Sequence, residues 1–134
     1  MGGPALTGEE DAVGSQLAIE RTNTVLYCAR WGETVAFYRS VMGLDVAFEN
    51  DWFVEFQVTS SSFLSIADAS RATIGAVDGQ GVTLTWQVGD LSAARTLLES
   101  KGVAATPTRR RWSADVFYCQ DPEGHRIEFW SDQT

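Results

Sequence analysis

The sequence predicts an α+β fold built from two βαβββ modules that follow one another along a single chain. The order of strand-like and helix-like segments in the first half recurs in the second half. The spacing recurs as well, because Gly43 follows Asn23 by 20 positions and Gly102 follows Thr83 by 19. The 134 residues are 44% hydrophobic and 21% charged, which fits one domain with a substantial core and excludes wholesale disorder.

The first module is expected over residues 22–68, after a flexible N-terminal tail at 1–21 that shows no sustained hydrophobic period. A β-branched and aromatic stretch at 24–28 predicts its first strand. Apolar residues on one helical stripe at 32–42 predict a helix that ends at Gly43. Further strands are expected at 45–48, 52–58 and 62–67.

The second module is expected over residues 82–131 and repeats this order. A strand at 82–88 precedes a helix at 91–100, for which Asp90 is the expected N-cap. The Asp-Pro-Glu-Gly segment at 121–124 predicts a turn, because proline fixes φ and glycine permits positive φ. Strands are expected at 103–108, 113–119 and 125–130.

Two such modules side by side would form a curved mixed sheet with the helices on its convex face. The concave face would then form a cleft of the kind that holds a small molecule.

Charge and hydropathy narrow the class of partner. Eighteen acidic and ten basic residues give a net charge of −8, which argues against nucleic acid and is compatible with a cationic or neutral small ligand. No apolar run approaches the length of a membrane span. The N-terminus has no basic and apolar secretory pattern, so a cytoplasmic protein is expected. The basic cluster Arg109–Arg111 is either a solvated edge strand or an anion clamp.

Cysteine and histidine usage limits the metal chemistry. Cys28 and Cys119 lie in apolar strand-like runs, which favours buried reduced thiols over a disulfide. His125 is the single histidine, so one chain cannot form a site with two histidine ligands.

Three segments carry a family resemblance: AFYRSVMGLDV at 36–46, VGDLSAARTLLESKGV at 88–103 and FYCQDPEGHRIEFW at 117–130. Together they resemble the vicinal oxygen chelate superfamily, which contains glyoxalase I, bleomycin-resistance-type binding proteins, epimerases and extradiol dioxygenases. The resemblance covers residues 22–131 and implies the paired-module fold. It says less about activity, because one fold hosts many functions.

The metal enzymes of this superfamily place one ligand at the start of each module's first strand and one on each module's last strand. In this sequence the resemblance puts these positions at Asn23, Ser65, Thr83 and Glu128. The family commonly supplies histidine or glutamate there, whereas three of these four residues are an amide or an alcohol. Such a set binds a divalent ion poorly, so neither a metal nor another cofactor is expected. The chain is therefore assigned to a metal-free binding-protein branch.

These polar groups could instead hydrogen-bond an organic ligand. Glu128 would attract an ammonium or a phenol hydroxyl, unless it pairs with Arg126 or Arg111. The tryptophans near strand ends either stack on an aromatic ligand or pack in the core or a dimer interface. Other residues are included because they share a strand face with these positions. The predicted ligand-binding residues are Asn23, Tyr27, Trp52, Phe63, Ser65, Thr83, Thr85, Trp112, Glu128 and Trp130.

The function predicted first is a binding protein that sequesters an aromatic or cationic compound, such as an antibiotic, without metal or catalytic residues. The resemblance also implies a homodimer with clefts shared between its chains. Two enzymatic alternatives remain open. One is a metal-independent isomerase or cyclase that uses Glu128 or Glu55 as acid or base, and the other is a lyase or dioxygenase with atypical metal ligands.

Overall fold

Two four-stranded mixed sheets form the framework of the computed structural model, which describes residues 16–132. The strand order is β1-β4-β3-β2 in the first sheet and β5-β8-β7-β6 in the second. In each sheet the first and last strands of the module pair in parallel and the other neighbours pair antiparallel. The α+β fold with two successive βαβββ modules is therefore confirmed. Residues 1–15 of the predicted tail lie outside the described residues.

The bounds of the elements follow the predicted order closely. Module one consists of β1 (Thr22–Cys28), α1 (Trp31–Ala36), β2 (Asp45–Glu49), β3 (Phe53–Gln57) and β4 (Ser62–Asp68). Module two consists of β5 (Thr83–Gln87), α2 (Leu91–Ser100), β6 (Arg109–Arg111), β7 (Ala114–Gln120) and β8 (Arg126–Asp132). A π-helical turn, Phe37–Val41, continues α1, and a short 3-10 turn, Ala69–Arg71, follows β4.

The strand expected at 103–108 is wrong, and β6 begins at Arg109 instead. Before β6, Thr106 already pairs with β7, because its backbone N–H donates to the Tyr118 carbonyl at 2.9 Å. Pro107 follows and has no N–H to donate, so a ladder cannot continue there. The arginine cluster thus forms a short exposed edge strand.

Alternation along the strands separates a core face from an open face in each sheet. In module one, Leu26, Phe56 and Ile66 are buried, and in module two Phe117 and Ile127 are buried. These residues and the inward sides of α1 and α2 belong to one hydrophobic cluster. The residues in between lie on the opposite side of each sheet, which we call the open face of module one and the open face of module two.

The turn at 121–124 joins module two to module one. Glu123 accepts hydrogen bonds from the backbone N–H groups of Ala29 and Arg30, at 2.9 and 2.7 Å, immediately before α1. Two donors that would lack a partner at a helix start are thereby satisfied by a distant carboxylate.

Asp121 is the buried centre of the same turn. Its Oδ2 accepts from the Tyr38 hydroxyl at 2.7 Å and lies 2.8 Å from Nδ1 of His125, while Oδ1 accepts from three backbone N–H groups within the turn. Burial tends to raise the pKa of Asp121, but the hydrogen bonds from His125 and Tyr38 outweigh it and hold the pKa below its usual value. Burial and the neighbouring Asp121 raise the pKa of Tyr38. His125 is therefore part of a structural hydrogen-bond network.

The segment between the modules approaches this turn closely. A Cβ on Gly79 would lie 2.3 Å from the carbonyl carbon of Gly124, and Gly79 itself has a φ of +74°. Only glycine combines this backbone conformation with so short an approach.

Both cysteines are free and buried. Burial raises the pKa of Cys28 to about 12 and that of Cys119 to about 11. No helix within residues 16–132 is long and apolar enough to cross a membrane.

Candidate functional site

The strand pairings of the two modules correspond, so that each position on one open face has an equivalent on the other. On module one, Ser65 of β4 lies between Val25 of β1 and Glu55 of β3. On module two, the same position holds Glu128 of β8, with Thr85 and Tyr118 as its neighbours. The central carboxylate is therefore Glu55 on β3 in module one and Glu128 on β8 in module two.

A closed polar network occupies the open face of module one. Ser65 Oγ donates to Asn23 Oδ1 at 2.9 Å, and Asn23 Nδ2 donates to Glu55 Oε2 at 3.2 Å. Arg21 donates to the same Glu55 oxygen at 2.6 Å, and its guanidinium lies 3.7 Å above the Phe63 ring. The structure therefore brings Asn23, Phe63 and Ser65 together. The polar side chains of Asn23 and Ser65, however, hydrogen-bond each other.

Glu55 and Arg21 are central to this network and are missing from the predicted ligand-binding residues, although Glu55 is a candidate acid or base in the enzymatic alternative. The alternation of Glu55 with Val54 and Phe56 signals its face of the strand. Its placement beside Ser65 depends on the pairing of β3 with β4, which the sequence does not specify.

Tyr27 and Trp52 lie apart from this network, at a hollow of about 260 Å³ on module one that Phe53 also lines. The rings of Trp52 and Phe53 are 5.4 Å apart between centroids and meet edge to face, and Phe48 lies 6.5 Å from Phe53. Trp52, Phe53 and Phe48 therefore pack mainly against one another.

The open face of module two holds a hollow of about 420 Å³, which we call the module-two hollow. Four predicted residues line it: Thr85, Trp112, Glu128 and Trp130. Arg111 and Tyr118 line it as well. The predicted residues are thus divided between two faces, and this one carries both aromatic and charged groups.

Glu128 is partly buried in the module-two hollow, and its side chain forms no hydrogen bond or ion pair with any residue in the described range. Arg126, a candidate partner from the sequence, instead donates to the Thr83 hydroxyl at 2.9 Å and lies 4.9 Å over the Tyr118 ring. Thr83 is exposed and does not line the hollow. Glu128 therefore faces the hollow without a hydrogen-bond or ion-pair partner among residues 16–132.

Trp112 combines strain with exposure. It is the first residue of a two-residue loop between β6 and β7, because Arg111 pairs with Ala114. Such loops need positive φ at this position and favour glycine or asparagine, and Trp112 has a φ of +60°. Its side chain is 97% exposed at the rim of the hollow. A strained backbone that presents a large apolar ring to solvent is more typical of a binding site than of a stabilising contact.

The four positions that carry metal ligands in the superfamily do not form a suitable donor set here. Asn23 and Ser65 bind each other and Thr83 accepts from Arg126. Across residues 16–132, no group of three or more histidine, cysteine, aspartate or glutamate residues could hold a metal ion. A transition metal needs about three strong protein ligands, so these side chains do not fit one.

Larger cavities exist on other parts of the described surface. One of about 750 Å³ lies between the end of α1 and β7, where Lys101 donates to the carbonyls of Ser40 and Val41. Another cavity, of about 640 Å³, lies between the two modules and is lined by Phe63 and Thr85 among others. Size alone does not select a site, and the charged groups of the 750 Å³ cavity, Lys101, Asp121 and Arg126, are already bound to protein atoms.

Comparison with solved structures gives the same fold repeatedly. A lactoylglutathione lyase from Agrobacterium tumefaciens is 26% identical, with 82% of this chain and 91% of that chain covered and a TM-score of 0.69. TnmS3, an antibiotic binding protein from Streptomyces sp. CB03234, is 16% identical, with coverage of 84% and 95% and a TM-score of 0.71.

A glyoxalase/bleomycin resistance protein/dioxygenase from Nocardioides is 19% identical, with coverage of 84% and 82% and a TM-score of 0.72. None of the curated proteins compared matches the sequence significantly. The family model described as Glyoxalase/Bleomycin resistance protein/Dioxygenase superfamily matches residues 21–129. The chain therefore belongs to this superfamily, also called the vicinal oxygen chelate superfamily.

Proposed function

We propose that this protein binds an aromatic compound with a cationic group in the module-two hollow, without a metal ion. The observation that carries the proposal is the carboxylate of Glu128, which is partly buried among aromatic side chains and has no hydrogen-bond or ion-pair partner within the described residues. A charge withdrawn from water raises the free energy of the protein unless a partner compensates it. A ligand ammonium is a partner that would do so.

The surrounding rings suit the rest of such a ligand. Trp112 and Trp130 line the hollow with Glu128 and offer flat apolar surfaces. Tyr118 lines it as well, with the guanidinium of Arg126 over its ring. Aromatic faces attract both a second ring and a cation, and a charge-assisted hydrogen bond to a carboxylate fixes the orientation. The binding step needs no covalent chemistry, so we assign sequestration and no catalytic residue.

An antibiotic is the ligand class that we propose. The fold is shared with TnmS3, which is an antibiotic binding protein, and antibiotics with aromatic and cationic groups match the chemistry of the hollow. The unsuitable donor set at Asn23, Ser65 and Thr83 supports binding without metal. Metal analysis of protein purified without an affinity tag tests the metal independence, and we expect well below half an equivalent of transition metal per chain. A stoichiometric transition metal would overturn it.

The proposal includes a cytoplasmic homodimer with clefts shared between its chains. Exposed apolar residues on β2 support association, since Phe48 is 52% and Val46 39% exposed on that edge strand. Sedimentation velocity tests the dimer, and a monomer at micromolar concentration would contradict it.

Titration of tryptophan fluorescence with a panel of aromatic amines tests the binding function. Glu128→Gln keeps the shape and removes the charge, and we expect at least a tenfold loss of affinity, on the order of 1.4 kcal/mol. Glu55→Gln is the matched control, because Glu55 belongs to the closed network of module one, and we expect unchanged affinity. Equal losses in both variants, or no quenching by any amine, would contradict the proposal.

A second function is favoured by one observation. Tyr118 lies directly opposite Glu128 in the β7–β8 pair, and a phenol beside a carboxylate could serve metal-independent acid–base chemistry in an isomerase or cyclase. Product formation in the presence of chelator that Glu128→Gln abolishes would favour this enzyme over sequestration.

A further inference from the structure

We propose that the ligand also carries a carboxylate and that Arg111 binds it, so that the module-two hollow selects aromatic zwitterions. This inference rests on the proposed function and narrows its ligand class. It also gives a role to the arginine cluster, for which the sequence left two interpretations open.

The arginines of β6 lie on two faces of the sheet, Arg109 and Arg111 on one and Arg110 on the other. Arg110 forms an ion pair with Asp115, with Nε 3.2 Å from Oδ1. Arg111 lines the module-two hollow instead, and its side chain has no hydrogen bond or ion pair within the described part of the chain. Alternation along a strand explains the difference, because neighbouring residues point to opposite faces.

Protection of a sheet edge accounts only partly for this cluster. Charged residues on an edge strand discourage pairing with other chains, and any of the three positions would serve. That role does not require an unpaired guanidinium beside a ligand-sized hollow in a protein whose net charge is −8. A guanidinium presents a planar fork of donors that matches a carboxylate in two parallel hydrogen bonds.

The sheet sets the separation of the two charges. Arg111 is on β6 and Glu128 on β8, with β7 between them, so their strands are about 10 Å apart. Their partners on β7, Ala114 and Tyr118, are four residues apart, which adds a displacement of about 13 Å along the strands. Trp112 and Trp130 line the same hollow. The arrangement favours a flat aromatic ligand with its ammonium at one end and its carboxylate at the other, rather than one with both charges on a single carbon.

Three biphenyl probes of matched shape test this inference. The first, 4′-(aminomethyl)biphenyl-4-carboxylate, has both charges; its 4-carboxamide and 4-(aminomethyl)biphenyl have only the cation. Quenching of tryptophan fluorescence would give the three affinities for the wild-type protein. We expect the carboxylate to bind about tenfold more tightly than the amide, the size of one charge-assisted pair in a partly exposed site.

Variants then assign the preference to one residue. Arg111→Gln should abolish the preference for the carboxylate over the amide, whereas Arg110→Gln, on the other face, should keep it. The inference is overturned if the wild-type protein binds the carboxylate and the amide with equal affinity. The proposed function stays intact in that case, provided that Glu128→Gln still weakens binding of the amide. The inference also fails if both arginine variants keep the preference. Failure of all three probes to bind would overturn the proposed function together with the inference.

Discussion

Ser65 and Glu128 occupy the same position in the two modules, each in the last strand of its module between equivalent neighbours. Ser65 is fully buried and donates to Asn23, whereas the side chain of Glu128 has no partner within residues 16–132. One module has thus closed its open face with internal hydrogen bonds, and the other has kept a free charge. This asymmetry motivates the first prediction.

Glu128→Gln should raise the free energy of unfolding by about 0.5–1 kcal/mol, because it removes a partly buried charge that has no hydrogen-bond or ion-pair partner in the described structure. Glu55→Gln should lower it by a similar amount, since Arg21 and Asn23 lose their common acceptor. Urea denaturation of both variants measures the two changes. A loss of stability in Glu128→Gln would show that the carboxylate supports the fold rather than a ligand.

Replacement of Trp112 should separate stability from binding. Trp112→Ala and Trp112→Gly both remove the exposed ring, so both should weaken binding of aromatic ligands. Only the glycine variant relieves the positive φ of +60°, so we expect it to be about 1 kcal/mol more stable than the alanine variant. Thermal unfolding compares the two directly, and equal stability would argue against strain in this loop.

The stability of the protein should fall in acid through Asp121. The pKa of this carboxyl is lower in the folded protein than its usual value of 3.8, so its contribution is complete above that value and is lost as the pH falls through the folded pKa. Asp121→Asn should cost about 2–4 kcal/mol near neutral pH. The difference between wild type and variant should shrink at low pH.

Tyr38→Phe is the control for this network. It removes one of the hydrogen bonds to Asp121 and should cost about 1 kcal/mol. Denaturant unfolding of both variants across a series of pH values provides the measurement. A constant difference between Asp121→Asn and wild type at all pH values would contradict the assignment.

Two glycines of the segment between the modules should respond differently to alanine. Gly79→Ala places a Cβ 2.3 Å from the backbone of Gly124 and keeps a positive φ, so we expect a loss of about 2–4 kcal/mol. Gly75→Ala meets no atom within 4 Å, and its stability should stay within about 0.5 kcal/mol of wild type. Circular dichroism during thermal unfolding distinguishes them. A mild effect at Gly79 would mean that the segment rearranges freely.

The cysteines should resist alkylation until the protein unfolds. Burial raises the pKa of Cys28 to about 12 and that of Cys119 to about 11, so little thiolate forms at pH 8. Iodoacetamide followed by mass spectrometry should label the native protein at least about a hundredfold more slowly than the urea-unfolded protein. Rapid native labelling of either thiol would reveal local opening of its strand.

Local patterns in the sequence were sufficient for the element order and for the faces of the strands. Alternation at Leu26 and Ile66, and the glycines after both helices, are signals carried by neighbouring residues. The strand at 103–108 failed because a β-branched and apolar stretch outweighed Pro107, a single residue that removes a donor from the ladder.

The site was harder to predict because its groups meet across strands. Glu55 reaches Asn23 only through the register of three strands, and register is a tertiary property. The orientation of Arg111 follows from a two-residue loop whose Trp-Ser sequence lacks the usual Asn-Gly signal. The sequence therefore placed most candidate side chains on the correct strands, with Trp52 and Trp112 outside them, but it did not show which side chains remain unpaired.

The hydrogen bonds between Glu123 and the residues before α1 have a consequence for synthesis. The first helix starts at a backbone N–H whose acceptor is 93 positions further along the chain. As the ribosome extrudes the protein, the first half emerges long before the carboxylate that completes that helix start. We expect the nascent first half to stay only loosely ordered until the turn that contains Glu123 has emerged, when both halves can fold together.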